Sequence, residues 1–288
     1  MLDKLDLFFG DANDTLAHVY ARLPETADRG HQLGGSIYGP FSSRSTTLPA
    51  RAPLTPVEPG DSPLARAVVP DPCFWSPALP QWYEATVTLH GPTGQLAENR
   101  QLFGMQPRGV RRGRIWATGE RWTVCAAATA GPIDWGGCSA ANRAVLAASP
   151  DDEMCAAATR AGVRIVAEIP AAVEALRRVS RWPAVSLVIV PADSSVVAGD
   201  LRRAAPNQLL AATAPAAAWE NGLTTPWAHA AVAEIVRGDE IPTAAVEQPI
   251  IIRLRDDTST TPAEQADALD QLRRRAAARG QFAGFLIG

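Results

Sequence analysis

The sequence predicts a β-sandwich over about residues 1–110 followed by a reduced, TIM-like β/α barrel over 111–288. Three observations carry this. Tyr83, Ala85, Val87 and Leu89 alternate with Glu84, Thr86 and Thr88, the period-two signature of a half-buried strand. Residues 25–63 are loaded with Gly, Pro, Ser and Thr, including Gly34-Gly35, Pro49, Pro53, Pro56 and Pro59, which excludes long helices. From Trp122 onward apolar runs alternate with short Ala- and Arg-rich helical segments, the pattern of repeated β/α units.

In chain order, the opening Met1 to Gly10 scatters acidic residues through a short apolar run and does not read as a signal peptide. Residues 15–24 are rich in strand formers and read as a first strand, and 25–63 as extended strands and turns. His18 and His31 stand alone there, without metal-ligand spacing. A turn at Gly91-Pro-Thr-Gly94 joins the alternating strand to a second one over 95–103, a hairpin. Phe74, Trp75, Trp82 and Tyr83 fill the sandwich core or, with their rings exposed, form a platform for sugars.

In the second part, strands are expected over 122–128, 144–148, 163–168, 185–190, 208–213, 228–236, 249–254 and 282–287. The sixth reads equally well as a helix. Helices are expected over 151–162, where Asp151 and Asp152 suit an N-terminus, over 171–180, and over 261–279, opened by Thr261-Pro262 and closed by Gly280. Eight strands here fall well short of the typical ~250-residue barrel, so the crossovers, notably between the fifth and seventh strands, must be minimal. Five of the six residues from Val185 to Val190 are apolar, as in a strand covered on both faces. Asp193 follows its C-terminal end, the place where β/α barrels carry their chemistry, and is a candidate catalytic group or an ordinary cap or turn residue.

With 47% hydrophobic and 20% charged residues, the chain has the composition of a globular protein, and a formal net charge of −3 gives no attraction to nucleic acid. No run approaches the ~18 apolar residues of a membrane span, so a cytoplasmic protein without a membrane partner is expected. Cys73, Cys125, Cys138 and Cys155 lie far apart and read as free thiols. There is no G-x-G-x-x-G, G-x-x-x-x-G-K, H-E-x-x-H or G-x-S-x-G motif, and no cofactor or metal is expected.

The segment Phe74-Trp75-Ser76-Pro77-Ala78-Leu79-Pro80-Gln81-Trp82-Tyr83, the later Leu102-Phe103-Gly104-Met105-Gln106 and the stretch from Gly113 to Trp122 resemble glycoside hydrolase family 2, the β-galactosidase and β-glucuronidase group. The resemblance covers about residues 64–125 well and the remainder in outline. It implies an immunoglobulin-like sandwich, here incomplete, a linking hairpin, and then the catalytic barrel. Arg181-Trp182-Pro183-Ala184-Val185 resembles the opening of the family's acid/base strand, with Ala192 in place of its Asn and Asp193 in place of its acid Glu. At the end of the seventh strand, where the family places its nucleophile, the matching residue is Leu254, which cannot attack a sugar.

These departures imply a family 2-like protein of carbohydrate metabolism that has lost its catalytic pair and acts as a carbohydrate-binding or assembly protein. An alternative is an active glycosidase with displaced carboxylates drawn from Asp193, Glu168 and Asp256, with Asp257 adjacent; another is a structural partner that binds no sugar. Trp135 and Trp219, which follow the first and fifth strands, are the expected sugar-stacking rings. The expected partners are a carbohydrate and a second copy of the chain or another protein.

Overall fold

The structure, a computed structural model, describes residues 2–23, 30–57, 64–129, 131–192, 198–220, 223–243, 248–255 and 261–288. The first seven strands are β1 (Asp6–Ala12), β2 (Leu16–Arg22), β3 (Gln32–Ser42), β4 (Ala50–Pro56), β5 (Leu64–Pro70), β6 (Gln81–Gly91) and β7 (Gly94–Phe103). They form one antiparallel sheet in the order β1-β2-β5-β4-β3-β6-β7. The sheet curls at β4, which pairs with β3 along 50–54 and with β5 at Thr55 and Pro56. Its concave side encloses a core that includes Val19, Leu33, Ile37, Ala67, Val87 and Leu89. The expected hairpin is present: Tyr83, Val87 and Leu89 are buried, and Tyr83 pairs with Phe103. Strand β1 falls in the stretch that the sequence reading assigned no element.

Trp75 does not enter that core. It packs instead with Leu176, Trp182 and other residues of the second unit, and its indole N–H donates to the Thr159 carbonyl at 3.0 Å. The aromatic cluster is therefore divided, with Tyr83 holding the sheet and Trp75 the seam.

Strands β8 (Arg108–Arg111), β9 (Arg114–Ala117) and β10 (Glu120–Arg121) form a small antiparallel sheet. Its Ile115 and Ala117 join the inner core of the barrel, and Arg108 donates to the carbonyls of Val185 and Pro183 and to Gln208 Oε1. The little sheet thus covers the N-terminal end of the barrel.

The barrel is closed and all parallel: β11 (Val124–Ala128), β12 (Ala144–Ala148), β13 (Ile165–Glu168), β14 (Val185–Pro191), β15 (Leu210–Pro215), β16 (Ala230–Val236), β17 (Ile250–Arg255) and β18 (Gly284–Ile287). The segment open to two readings, β16, is a strand paired on both sides. Closure places Gly284 opposite Val124, so tightly that a Cβ on Gly284 would lie 2.5 Å from Val124. Outside lie α1 (Trp135–Ala140), α2 (Asp152–Ala161), α3 (Val173–Ser180), α4 (Ala198–Ala204), α5 (Ala216–Glu220) and α6 (Pro262–Ala276). Helix α2 starts on the Asp151 cap and ends at Gly162, in the left-handed region at φ 71°, where a Cβ would meet the Pro77 carbonyl. Helix α6 opens with a Thr261/Glu264 capping box. Among the described residues no helix separates β16 from β17, so the reduction falls between the fifth and seventh barrel strands, as expected. No described helix is long and apolar enough to cross a membrane.

Candidate site at the barrel mouth

Period-two alternation decides what faces the lumen. Val166, Val232, Ile251 and Leu286 all belong to the inner core. Two residues further along each strand, at the C-terminal mouth, stand Glu168, Glu234, Arg253 and Gly288. In a ring of eight, β13 and β17 face each other across the barrel, so a contact between Glu168 and Arg253 spans the mouth.

That contact is made. Arg253 Nη1 donates to Glu168 Oε1 at 2.6 Å and Nη2 to Glu168 Oε2 at 3.0 Å. Nη1 also reaches Glu234 Oε1 at 3.3 Å, and Nε donates to the Gly288 carbonyl at 3.0 Å. Arg255 adds bonds from Nη2 to both oxygens of Glu234, at 2.8 and 3.1 Å. The Arg253 side chain is only 9% exposed, whereas Arg255 is 56% exposed at the rim. Among the described residues of the mouth, two guanidiniums face two carboxylates, and such pairing is how charges persist in a partly buried site.

The chemistry open to this arrangement is limited by its pairing. A general acid must present its proton within roughly 2.6–3.2 Å of the atom it serves, and a nucleophile must present a free lone pair. Both oxygens of Glu168 lie under the Arg253 guanidinium fork, and both oxygens of Glu234 accept from Arg255 Nη2. The cluster suits holding polar groups at its rim better than proton transfer.

Of the residues singled out in the sequence, Glu168 is in this cluster. Asp193, Asp256 and Asp257 lie outside the described residues. Trp135 begins α1, and its half-buried ring packs against the core beneath α2 and α3. Trp219 is on α5, half-buried, with its indole N–H donated to the Val232 carbonyl at 3.1 Å. Leu254 corrects the alignment drawn at the seventh strand. It is buried with Leu269 and Leu272 of α6, on the outward face of β17, because alternation gives the lumen to its neighbour Arg253. His229 sits at the opposite end of the barrel. Its Nδ1 accepts from the Leu210 N–H, and burial, reinforced by the Arg202 charge, lowers its pKa.

Sequence reasoning missed Glu234, Arg253 and Arg255. The available signal was a charge inside an apolar run: Arg253 interrupts Ile250-Ile251-Ile252 and Leu254, and Glu234 interrupts Val232-Ala233 and Ile235.

No protein-family profile and no curated protein matches the chain. Solved structures do match its fold. A β-glucuronidase from Bacteroides uniformis superposes with a TM-score of 0.63 at 11% identity, covering 99% of this chain and 45% of that one. A putative β-galactosidase from Bacteroides fragilis gives 0.65 at 10% identity, covering 99% and 54%. A family 2 β-galacturonidase from Eisenbergiella tayi, bound to galacturonate, gives 0.62 at 13% identity, covering 98% and 64%. The class that the fold defines is a two-part chain, a curled antiparallel sheet followed by a closed parallel β/α barrel, as in these enzymes. Its resemblance to family 2, read from local motifs, extends in fold to nearly the whole chain, which spans about half to two thirds of the length of these enzymes.

Proposed function

We propose that this chain is a family 2-like protein that does not hydrolyse glycosides and instead binds carbohydrate at the rim of its barrel mouth. The observation that carries the reading is the guanidinium of Arg253 bridging Glu168 and Glu234. A retaining glycosidase needs two available carboxyl groups about 5–5.5 Å apart, and an inverting one about 6.5–9.5 Å apart. Here the two carboxylates described at the mouth are spent on arginines, and Arg255, held by Glu234, stands exposed at the rim where a sugar would approach. The same proposal takes the curled sheet as an incomplete immunoglobulin-like sandwich, places the division near residue 110, and puts the protein in the cytoplasm.

An assembly role without sugar binding is the second reading. It is favoured by Trp135 and Trp219, which pack against the core where a sugar platform needs a bare ring face. A glycan array probed with wild type and Arg255→Ala decides between them. Glycan binding that Arg255→Ala weakens supports the first reading, and absence of any glycan binding supports the second.

A further inference from the structure

The small sheet β8-β9-β10 lies at the N-terminal end of the barrel, away from the mouth, and carries a concentration of positive charge that the net charge of −3 conceals. Alternation sorts its side chains. Ile115 and Ala117 of β9 enter the inner core of the barrel, so Arg114 and Trp116 point away from it. Antiparallel partners share a face. Arg111 stands opposite Arg114, while Trp116, on the central strand, stands between Gly109 of β8 and Arg121 of β10. Arg112 adds a guanidinium at the turn, where it and Gly113 take φ 51° and 68°, the left-handed pair that a two-residue hairpin loop requires.

These arginines are largely uncommitted. Arg111, Arg112 and Arg121 are exposed and make no hydrogen bond or ion pair among the described residues. Arg114 donates only to the neutral Gln281. The carboxylate of the small sheet, Glu120, stands opposite Ala117 and so belongs to the other face, where its charge acts on Arg164. Asp11, exposed on β1 across the groove that Gly109 shares with Gly10 and Ala12, pairs with none of them. Even counting Asp11, four guanidiniums meet one carboxylate, and within a Debye length of about 8–10 Å such a local excess outweighs a small net charge of the whole chain. The centre of the face is aromatic. A Cβ on Gly109 would meet nothing within 4 Å, so no side chain covers that flank of the half-buried Trp116. The indole N–H is itself covered, which leaves the ring to act by stacking and not as a donor.

We infer that this face binds single-stranded nucleic acid, with a base stacked on Trp116 and neighbouring phosphates held by Arg111, Arg114 and Arg121. An aromatic ring set among guanidiniums on an open sheet is the combination that such strands require, since every base has a stacking face and the planar fork fits a phosphate. A duplex keeps its bases inside and leaves the ring unused, as does an acidic peptide. An anionic bilayer calls for an apolar anchor beside the charges, and the exposed large hydrophobic residues Leu48, Val68, Leu79, Leu96 and Val236 all lie outside 108–121.

The test is fluorescence anisotropy of the full chain with a labelled oligothymidylate of about 12 nucleotides, within the usual span of one binding surface. Wild type should bind it, and affinity should fall with rising salt at a log–log slope of about −2 to −3, as for three or four arginine–phosphate contacts on a single strand. Arg111→Gln combined with Arg121→Gln, at exposed and unpaired positions, should lose about tenfold in affinity and flatten that slope by about 1.4, with the melting temperature unmoved. Trp116→Leu should also lose about tenfold but keep the slope, and Trp116→Phe should keep most of the affinity, a split that charge alone does not give. Four results would overturn the face: no binding by wild type at about 50 mM salt, equal binding by the double arginine variant, equal binding by Trp116→Leu, or tighter binding of a duplex of the same length or of anionic phospholipid vesicles than of the single strand.

Discussion

Arg253 and Glu168 face each other from opposite strands of the barrel and close a two-pronged bond, at 2.6 and 3.0 Å, across its mouth. Removing the cation leaves Glu168 and Glu234 short of a partner in a site largely shielded from water. Arg253→Ala should therefore cost about 3 kcal/mol, the lower end for breaking a buried pair because Glu168 keeps some solvent access. Arg253→Lys should recover part of the loss, since an ammonium cannot reproduce the planar fork. Urea denaturation of the three proteins measures both effects; equal stability of all three would mean that the bridge contributes nothing.

Leu254→Glu separates the sequence alignment from the observed geometry. Were Leu254 at the mouth, the substitution would add a carboxylate to the site at little structural cost. It packs instead against Leu269 and Leu272, so a charge there is buried without a partner. The expected outcome is a loss of about 3 kcal/mol or failure to fold, with no gain of glycosidase activity. A stable variant with new activity would restore the alignment.

Asp6 ties the sheet to the barrel. Its side chain, 3% exposed, accepts from Arg22 on β2 and from Arg177 on α3, at 3.0 and 2.8 Å. Asp6→Asn keeps the shape and removes the charge, leaving two partly solvated guanidiniums facing each other. A loss of about 2–3 kcal/mol is expected, read as a lower urea midpoint with an unchanged m-value. An unchanged midpoint would mean that the seam is held by its apolar contacts alone.

Tyr83 gives a dependence on alkaline pH. Burial pushes its phenol up to about 12, against the opposing effect of the Cys73 N–H, which donates to the phenol oxygen at 2.8 Å and favours the phenolate. The unfolded chain releases this proton near pH 10 and the folded chain near 12. Its contribution is therefore full below pH 10 and is lost as pH rises to 12, amounting to about 2–3 kcal/mol. Tyr83→Phe should lack that component, so the stability gap between wild type and variant should shrink between pH 9.5 and roughly 11.5. A gap that stays constant would contradict the assignment.

Much of this architecture was legible from residue pattern. Seven of the eight barrel strands announce themselves as apolar runs, the sixth as a run open to strand or helix, and the first strand of the hairpin as an alternation. The site was less so, for a geometric reason. Which face of a strand becomes the lumen is settled only when the barrel closes, and closure joins Glu168 to Arg253 across 85 residues. Leu254 and Arg253 are neighbours in sequence, and a one-residue error of register exchanges helix layer for lumen. Trp75 shows the same limit: an aromatic beside a strand reads as core, but only the packed structure tells whose core it joins.

The central claim is that a mouth whose carboxylates are locked by arginine does not hydrolyse glycosides. It is tested most directly by assaying purified wild type on chromogenic β-glucuronides and β-galactosides, with Glu168→Gln, Glu234→Gln and Asp193→Asn as controls. The account predicts no turnover above background in any of the four proteins, because losing a catalytic carboxylate removes several powers of ten in rate. Turnover by the wild type that any one of these substitutions abolishes would contradict it, and would make that residue part of a working catalytic pair.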